Sequence, residues 1–444
     1  MADVSRGKFV AVFKRQYILG IVLVALVGCG PKEVKLAGER LDIRPSQTEP
    51  HVNQDVAISL ATPVNNTEWS HRGATASHAS RQVAFSAVPA KIWSASIGQG
   101  NDRKHRISAD PVAAEGLIFT LDSRAQVGAT SSAGQAIWSR DLTPADDRAD
   151  DASGGGLAVV DGRLYVTTGF GDLFALDAAS GAVHWQQRLL SPATGAPTVT
   201  GGLIYIATRD SHALAIDASD GRVRWQLQGA PSVTGIIGGA APAVDSGLAV
   251  FPFGSTQIAG AYPKGGFQIW AGSAAGHRLG RGYAQISDIS GDPVLSGNAV
   301  YVGNPSGRTV ALDRVDGNTL WIAPEGAVSP LWVAGGSIFL ISDQAELVRL
   351  NASDGTRIWG VQLPGFHPKR RAKRLRDVYA HFGPVLAGGR LWVASDDGQL
   401  RGFDPTDGAQ VATIDLGTGA ATRPIIVGGV MYLVDTKGKL QALR

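Results

Sequence analysis

The stretch Ala175-Leu176-Asp177-Ala178-Ala179-Ser180-Gly181, followed four residues later by Trp185, decides the fold of this chain. An Asp side chain caps the backbone of a tight turn, and glycine adopts a positive φ at no steric cost. The stretch therefore predicts a hairpin whose second strand carries the tryptophan. In hairpins of this kind the same Gly-to-Trp step occurs six times, at Gly134/Trp138, Gly181/Trp185, Gly221/Trp225, Gly266/Trp270, Gly317/Trp321 and Gly355/Trp359.

Two further strand-like segments precede such a hairpin. In one copy they are Pro197–Val199, an apolar segment led by proline, and Gly202–Ile206, an alternating segment after a glycine turn. One repeat therefore contains four strands. The tryptophans of the series are 38 to 51 residues apart, which is typical of β-propeller blades. We interpret seven of them as structural residues that dock one blade on the next: Trp93, Trp138, Trp185, Trp225, Trp270, Trp321 and Trp359.

The two ends of the repeat series are incomplete. Gly408 begins a copy in which Ala412 replaces the tryptophan, and residues 424–444 provide only three strands. Residues 91–94 resemble a fourth strand without the preceding three. We therefore predict that the N- and C-terminal strands share one blade, because an open series would expose unpaired sheet edges. The sequence predicts an all-β fold, an eight-bladed β-propeller of four-stranded antiparallel blades, over residues 69–444.

The N-terminal residues resemble an export signal. Basic residues precede the apolar run Ile18–Val27, which is too short to span a bilayer as a helix of about 20 residues. The run ends at Leu26-Val27-Gly28-Cys29, which resembles the lipobox of bacterial lipoproteins. This resemblance implies a signal peptide over residues 1–28, a lipid on Cys29 and, with Gly30 in second position, export to the outer membrane. The alternative is an ordinary signal peptide that contains a cysteine by chance.

Residues 29–68 separate this signal from the repeats. They contain four prolines, scattered charges and little periodicity, which is typical of a tether. Acyl chains on Cys29 would each contribute about 0.8 kcal/mol per buried CH₂ to membrane binding. The sequence thus predicts a lipidated tether that holds the propeller at the periplasmic face of the outer membrane.

Composition excludes several classes of function. Cys29 is the only cysteine of the chain, which excludes internal disulfides, CxxC redox chemistry and cysteine-rich zinc sites. The net charge of +3 gives no chain-wide field for binding nucleic acid. With 44% apolar and 18% charged residues, the chain can bury a large core, so we expect it to fold.

The repeat resembles the tryptophan-docking motif of pyrroloquinoline-quinone-type propellers. Combined with the lipobox and the eight blades, the chain resembles the BamB family of lipoproteins, from about residue 60 to residue 444 and in its anchor. This resemblance implies a non-enzymatic scaffold of the outer-membrane β-barrel assembly complex, without a cofactor. It implies as partners the periplasmic POTRA domains of BamA, other components of that complex and unfolded outer-membrane protein precursors.

Two connections between blades resemble the segments with which this family contacts its partner. The first spans residues 234–242 and has Ile237 where the family has arginine; the second spans residues 287–290 and has Ser290 in place of a second acid. These two replacements remove polar groups from the contact, while apolar residues remain. The alternative is a loop that folds over the ring. The resemblance assigns partner binding to Thr234, Ile236, Ile237, Asp288 and Ser290.

The alternative function is a dehydrogenase that uses pyrroloquinoline quinone on the same fold. Such enzymes resemble one another in a quinone pocket, a catalytic aspartate and a calcium, which needs about six to eight oxygen ligands. The acidic run Asp146–Asp151 is the one distinct acidic cluster, and a solvated loop is its simpler interpretation. Nine histidines lack metal-ligand spacing, and the motifs GxSxG, HExxH and GxGxxG are absent. The sequence therefore predicts no catalytic residue and no metal site.

One segment of the chain is strongly basic, and it lies between the sixth and seventh blades. Such a run can bind phosphate groups, and beside a membrane the candidates are anionic lipid headgroups or an acidic partner. A solvated loop is the equally simple alternative, and nucleic acid is not expected in the periplasm. The candidate residues for an anionic surface are Lys369, Arg370, Arg371, Lys373, Arg374 and Arg376.

Overall fold

The computed structural model describes residues 52–232, 238–276, 278, 288–367 and 378–444. The regular secondary structure of these residues consists of 32 β-strands, which form eight four-stranded antiparallel sheets. The sheets are the blades of a ring, so the predicted all-β, eight-bladed propeller is confirmed. We number the blades I to VIII in the chain order of their first strands.

The first strand of each blade lies at the centre of the ring and the fourth lies at the rim. Blade I contains β2 (Val112–Ala114), β3 (Leu117–Leu121), β4 (Gln126–Ser131) and β5 (Ala136–Asp141). Blade II contains β6 (Gly155–Val160), β7 (Arg163–Thr168), β8 (Asp172–Asp177) and β9 (Val183–Arg188). Blade III contains β10 (Thr198–Thr200), β11 (Leu203–Ala207), β12 (His212–Asp217) and β13 (Val223–Gln228). Blade IV contains β14 (Ala243–Val244), β15 (Ala249–Pro252), β16 (Gln257–Ala261) and β17 (Gln268–Ser273).

The second half of the ring repeats this arrangement. Blade V contains β18 (Val294–Ser296), β19 (Ala299–Asn304), β20 (Arg308–Asp313) and β21 (Thr319–Ala323). Blade VI contains β22 (Trp332–Ala334), β23 (Ser337–Ile341), β24 (Glu346–Asn351) and β25 (Arg357–Gln362). Blade VII contains β26 (His381–Ala387), β27 (Arg390–Ser395), β28 (Gln399–Phe403) and β29 (Gln410–Asp415). Blade VIII contains β30 (Ile425–Val427), β31 (Val430–Val434), β32 (Lys439–Leu443) and, from the N-terminal side, β1 (Lys91–Ser96).

Blade VIII closes the ring with both ends of the propeller. β1 pairs antiparallel with β32, and Trp93 lies opposite Ala442. Next to this pair, Ala90 and Arg444 exchange two backbone hydrogen bonds of 2.7 and 2.9 Å. The prediction that the N- and C-terminal strands share one blade is therefore confirmed.

Each of the seven tryptophans of the repeat covers the hairpin glycine of the next blade. Trp138 of blade I, for example, lies so close to Gly181 of blade II that an added Cβ would be 2.5 Å from the indole ring. Gly181 also has a φ of +69°, so glycine is required there for two reasons. The indole N–H of Trp138 donates to the carbonyl of Ala178, at 2.9 Å. The other pairs are Trp93/Gly134, Trp185/Gly221, Trp225/Gly266, Trp270/Gly317, Trp321/Gly355 and Trp359/Gly408.

The way in which the ring closes explains why blade VII lacks this tryptophan. Blade VIII has no hairpin between its third and fourth strands, because one ends near Arg444 and the other begins at Lys91. A tryptophan at Ala412 would therefore have no hairpin glycine to cover. Trp392, on the second strand of blade VII, is fully buried instead, and both it and Ala412 approach Gly402.

The inner strands and the outer strands differ in burial. Five of the six residues of β8 are buried, whereas β9 alternates between exposed and half-buried residues. The hydrophobic core therefore lies between the inner parts of neighbouring blades, and the fourth strands form a partly exposed rim. Among the residues described, no helix is long and apolar enough to cross a membrane.

Candidate functional site

The connections from one blade to the next lie on one side of the ring, which we call the loop face. Because each blade has four antiparallel strands, the connection from its fourth strand to the next blade leaves on the side opposite the turn between its first and second strands. The three connections that contain the predicted segments have their described ends on the loop face, at 229–232 and 238–242, at 274–276 and 288–293, and at 363–367 and 378–380. The topology thus places the described ends of these three connections on one side of the ring.

The described ends of the two connections that contain the predicted partner segments meet on the loop face. The Ala240 N–H donates to the carbonyl of Ile289 at 3.4 Å, and the Ala241 N–H donates to the Asp292 carboxylate at 2.8 Å. Residues 233–237, with Thr234, Ile236 and Ile237, lie outside the described residues. The described ends of both connections therefore belong to one continuous surface.

Asp288 and Ser290 are described, and both are buried. Asp288 is 5% exposed, and an added Cβ on Gly254 would lie 2.6 Å from its carboxylate. Ser290 is 9% exposed, and its hydroxyl donates to the carbonyl of Ala327 at 2.6 Å. These side chains attach the connection to blade IV and to the next connection, so their direct effect is on the position of the loop.

The predicted basic segment and lipid site lie outside the described residues. Lys369, Arg370, Arg371, Lys373, Arg374 and Arg376 fall within residues 368–377, and Cys29 falls within residues 1–51. The described flanks of the basic segment are joined, because Phe366 pairs with Val378 in an antiparallel bridge. His367 and Tyr379 also stack with their ring centroids 3.9 Å apart. The described residues on the two sides of the basic segment therefore lie next to each other.

The sequence did not predict the segment that crosses the centre of the ring. We call residues 66–88 the central strap. Trp69 exchanges backbone hydrogen bonds of 2.8 and 2.9 Å with Ala113 of blade I, and the carbonyl of Ser70 accepts one of 2.9 Å from Val159 of blade II. The other six blades contact the strap as follows: Val199 of blade III with His71, Val244 of blade IV with Ala76, Leu295 of blade V with Ser77, Trp332 of blade VI with Trp69, Leu386 of blade VII with Val83, and Gly428 of blade VIII with Asn66.

Arg72 of the central strap extends into the central channel and binds two acidic residues. Its guanidinium lies 3.3 Å from the Asp110 carboxylate and 3.2 Å from the Asp292 carboxylate, and it donates to the carbonyl of Gly239 at 2.6 Å. Arg423 binds Asp110 as well, at 2.9 Å. Burial opposes the charge of Arg72, but Asp292 and Asp110 hold its pKa above the usual value. The centre of the channel is therefore occupied by paired charges of this chain.

Two histidines of the central strap are buried, and one of them, His78, lies close to this cluster. Burial, reinforced by the nearby His78, lowers the pKa of His71 to about 4, although a bond to the Val199 carbonyl acts in the opposite direction. The Nδ1–H of His78 donates to the carbonyl of Pro293, at 2.9 Å. Burial also lowers the pKa of His78, and the charges of Arg423 and Arg72 add to this effect. Both histidines are therefore neutral at pH 7.

No spacing in the sequence marks the central cluster. Arg72, Asp110, Asp292 and Arg423 come from parts of the chain that are up to 351 residues apart. These four residues come together only in the folded ring, so no local sequence motif contains them. Within the described ranges, no group of three or more His, Cys, Asp or Glu side chains could hold a metal ion.

Comparison with known proteins gives a consistent set of relatives. A model of the family described as "Outer membrane protein assembly factor BamB" matches residues 123–361 and 369–444. The chain is 30% identical over 368 residues to the outer membrane protein assembly factor BamB of Salmonella typhimurium, covering 82% of this chain and 90% of that protein.

Among solved structures, BamB from Moraxella catarrhalis superposes with a TM-score of 0.65 at 19% identity, covering 80% of this chain and all of that one. Quinohemoprotein alcohol dehydrogenase from Comamonas testosteroni also has a TM-score of 0.65, at 16% identity, covering 85% of this chain and 80% of that one. At these identities, both similarities concern the fold alone.

Proposed function

The chain belongs to the family of outer membrane protein assembly factor BamB, and on this basis we propose that it is a non-enzymatic scaffold of the outer-membrane β-barrel assembly complex. In this proposal it is a lipoprotein that binds the periplasmic POTRA domains of BamA. It assists the folding and insertion of outer-membrane proteins, and its further partners are other components of the complex and unfolded precursors.

The extent of the family match is the observation that carries this proposal. The matched residues begin in blade I and continue through the last strand of blade VIII. The Salmonella typhimurium relative is matched over 90% of its length. Because the match covers the ring and not one repeat, it supports a function of the family and not only a shared blade motif.

The contents of the central channel favour a scaffold over the alternative dehydrogenase. Asp110 is bound by Arg72 and Arg423, and Asp292 by Arg72 and the Ala241 N–H. A calcium site would require several free oxygen ligands at one point. Here both buried carboxylates are paired with arginines of the same chain, and of their four oxygens Asp292 Oδ2 alone has no hydrogen-bond partner among the described residues.

The partner-binding part of the proposal concerns the loop face. The ends of the two partner segments bond to each other, so Thr234, Ile236 and Ile237 would act with the second segment as one site. Asp288 and Ser290 would contribute by holding this segment in place, since both are buried. An apolar anchor surrounded by polar groups is the usual form of such a contact.

The membrane-binding part of the proposal concerns blade VI. Gln54, close to the first described residue, donates from its backbone to Ile358 of β25 at 2.9 Å, and the basic segment follows β25 in the chain. The described residue Gln54 and the described start of the connection that carries the basic segment therefore belong to the same blade. A lipid and a cluster of basic residues together provide the two signals that stable anchoring to an anionic surface requires.

Co-purification tests the scaffold function. We expect BamA to co-purify with the wild-type protein from detergent extracts and to be lost with Ile236→Asp. Leu190→Asp is the matched control, because Leu190 is 99% exposed in another connection between blades and should tolerate the same charge. Equal recovery of BamA with both variants would refute the assignment of Ile236. Failure of the wild-type protein to recover any component of the complex would refute the scaffold.

Fractionation tests the anchor, and an activity assay tests the enzyme alternative. Cys29→Ala should release the protein from membranes, because the lipid would have no attachment site. If this variant remained in the membrane fraction, the lipid would not be the anchor. Addition of pyrroloquinoline quinone and calcium should give no alcohol-dependent dye reduction, and measurable turnover would support the dehydrogenase instead.

A further inference from the structure

Two of the eight outer strands contain no charged residue. These strands are β17 of blade IV and β21 of blade V. Charged side chains on an edge strand discourage another strand from pairing with it. Blades IV and V are therefore the part of the rim without this protection. The other six outer strands are charged through Lys91, Arg140, Arg188, Arg224, Arg357 and Asp415, among others.

The same two blades expose large apolar side chains. Leu320 and Ile322 are two residues apart on β21 and are 53% and 51% exposed. Ile269 on β17 is 36% exposed, and the turn before it exposes Tyr262 and Phe267 by 56% and 74%. We call these five residues the rim patch. Large apolar side chains that are exposed on two neighbouring blades are typical of a binding surface.

On the neighbouring blade VI, a segment of the chain lies along the outer strand. The Gln54 N–H donates to the carbonyl of Ile358 on β25 at 2.9 Å. The side chain of Asn53 donates to the Gly360 carbonyl at 3.1 Å and accepts from the Gly360 N–H at 3.0 Å. Residues 53 and 54 therefore run antiparallel to the outer edge of blade VI.

Equivalent positions on blades V and VI differ in exposure. Ile358 and Leu320 each precede the docking tryptophan of their outer strands, Trp359 and Trp321. Ile358, beside the added segment, is 7% exposed, whereas Leu320 is 53% exposed. Blade VI thus has its rim covered by an extended segment, and blade V has the same apolar position uncovered.

We propose that the outer edges of blades IV and V bind an extended polypeptide segment of alternating apolar and polar residues by strand addition. The edge backbone of β21 would supply the hydrogen bonds, and Leu320 and Ile322, on one face of the strand, would contact every second side chain of the ligand. The uncharged strands fit an uncharged partner strand. This proposal rests on the proposed function, in which unfolded outer-membrane proteins are the source of such segments.

Peptide binding to the purified protein tests the proposal. The probe is a fluorescein-labelled peptide in which valine alternates with threonine, followed by fluorescence anisotropy. Leu320→Lys should weaken binding about tenfold, because it places a charge on the edge. Ile137→Lys is the matched control, since Ile137 precedes Trp138 in the same way, is 48% exposed and lies on a strand that is already charged. This control should change affinity less than about twofold.

A modified peptide tests strand addition without any change in the protein. The same peptide with alternate backbone nitrogens methylated cannot donate the hydrogen bonds of an added strand, so it should bind at least about tenfold more weakly. Equal binding of both peptides would overturn strand addition in favour of apolar adsorption. Equal loss with Leu320→Lys and Ile137→Lys would overturn the assignment to blades IV and V.

A photo-crosslinking amino acid at Ile322 of the full chain identifies the occupant. Crosslinks to unfolded outer-membrane proteins are the expected result. Crosslinks to a second copy of the chain, or to the proposed POTRA partner, would overturn the proposed occupant. The peptide assay contains no other component of the assembly complex. If the peptide did not bind while BamA still co-purified, only the rim-patch proposal would be refuted. If BamA did not co-purify while the peptide still bound, only the proposed scaffold function would be refuted.

Discussion

Arg72 of the central strap and Asp292, which precedes blade V, form an ion pair of 3.2 Å at the centre of the ring. Asp292 is fully buried and Arg72 is nearly so. The pair attaches a segment that precedes the first strand to a blade 220 residues further along the chain. Removal of one partner of a buried pair leaves an uncompensated charge, which is usually more harmful than loss of the whole pair.

Arg72→Met should therefore destabilise the ring strongly. We expect the free energy of unfolding to fall by about 3 to 5 kcal/mol, because Asp292 loses its cationic partner in a buried position. Arg72→Lys is the control, which keeps the charge but not the fork of N–H donors, and it should lose less. Urea unfolding monitored by tryptophan fluorescence measures both. A loss below about 1 kcal/mol for Arg72→Met would show that the pair is not important for stability.

The central strap should also make stability depend on pH. The pKa of His71 is lowered to about 4 in the folded protein, mainly by burial, from a value of 6.5 in the unfolded chain. Between these values the unfolded state binds more protons, so stability falls as the pH falls. For His71 alone we expect a loss of about 2 kcal/mol between pH 7 and pH 5. His71→Gln should reduce this slope in urea unfolding, and an unchanged slope would assign the pH dependence to other groups.

Much of the fold could be predicted because its repeat is local. The Asp177–Gly181 hairpin and Trp185 lie within a few residues of one another, so spacing alone identified a blade. The closure could also be predicted, because residues 424–444 provide only three strands and the segment around Trp93 resembles a fourth strand without the preceding three. The central strap was not predicted, because its contacts reach eight blades and no repeat marks the segment 66–88.

The candidate site was predicted less completely than the fold. Family resemblance located Asp288 and Ser290, but only the structure shows that both are buried. Burial depends on neighbours such as Gly254, which is distant in sequence. Arg72 gave no signal at all in the sequence, because its partners Asp110 and Asp292 come from different blades. Positions of this kind depend on the tertiary structure alone.

Closure of the ring should depend on the contact between Trp93 and Gly134. An added Cβ on Gly134 would lie 2.7 Å from the indole of Trp93, and the indole N–H donates to the Ser132 carbonyl at 3.1 Å. Trp93→Ala should lower the free energy of unfolding by about 3 kcal/mol. Ile92→Ala, on the exposed face of the same strand, should lower it by less than about 1 kcal/mol.

A double-mutant cycle separates this contact from other effects. Gly134→Ala should destabilise the wild-type ring by steric overlap with the indole and by strain at a φ of +83°. Only the strain remains in the Trp93→Ala background, so the two losses should be coupled by about 1 kcal/mol or more. Additive losses in thermal or urea unfolding would contradict docking of Trp93 on Gly134.

Arg349 should hold the N-terminal segment against the rim of the ring. This residue is 2% exposed, at a position across from Trp359 where other blades have Ala or Gly. Its guanidinium donates to the Val56 carbonyl at 2.6 Å and to the Thr406 carbonyl at 2.9 Å, and so joins blade VI, blade VII and the segment before the central strap. Arg349→Ala leaves these carbonyls without a donor, which costs about 2 to 4 kcal/mol of global stability.

The local effect of Arg349→Ala should be larger than the global one. Hydrogen exchange of residues 53–58 should become faster, because few other contacts hold this segment, while exchange in β23 should follow global stability. Arg390→Ala is the control, since Arg390 also donates to an N-terminal carbonyl, that of Ala87, but is more exposed. It should leave exchange at 53–58 unchanged. If Arg349→Ala left that exchange unchanged as well, Asn53 and Gln54 would hold the segment on blade VI without the arginine, and Arg349 would serve only to join blades VI and VII.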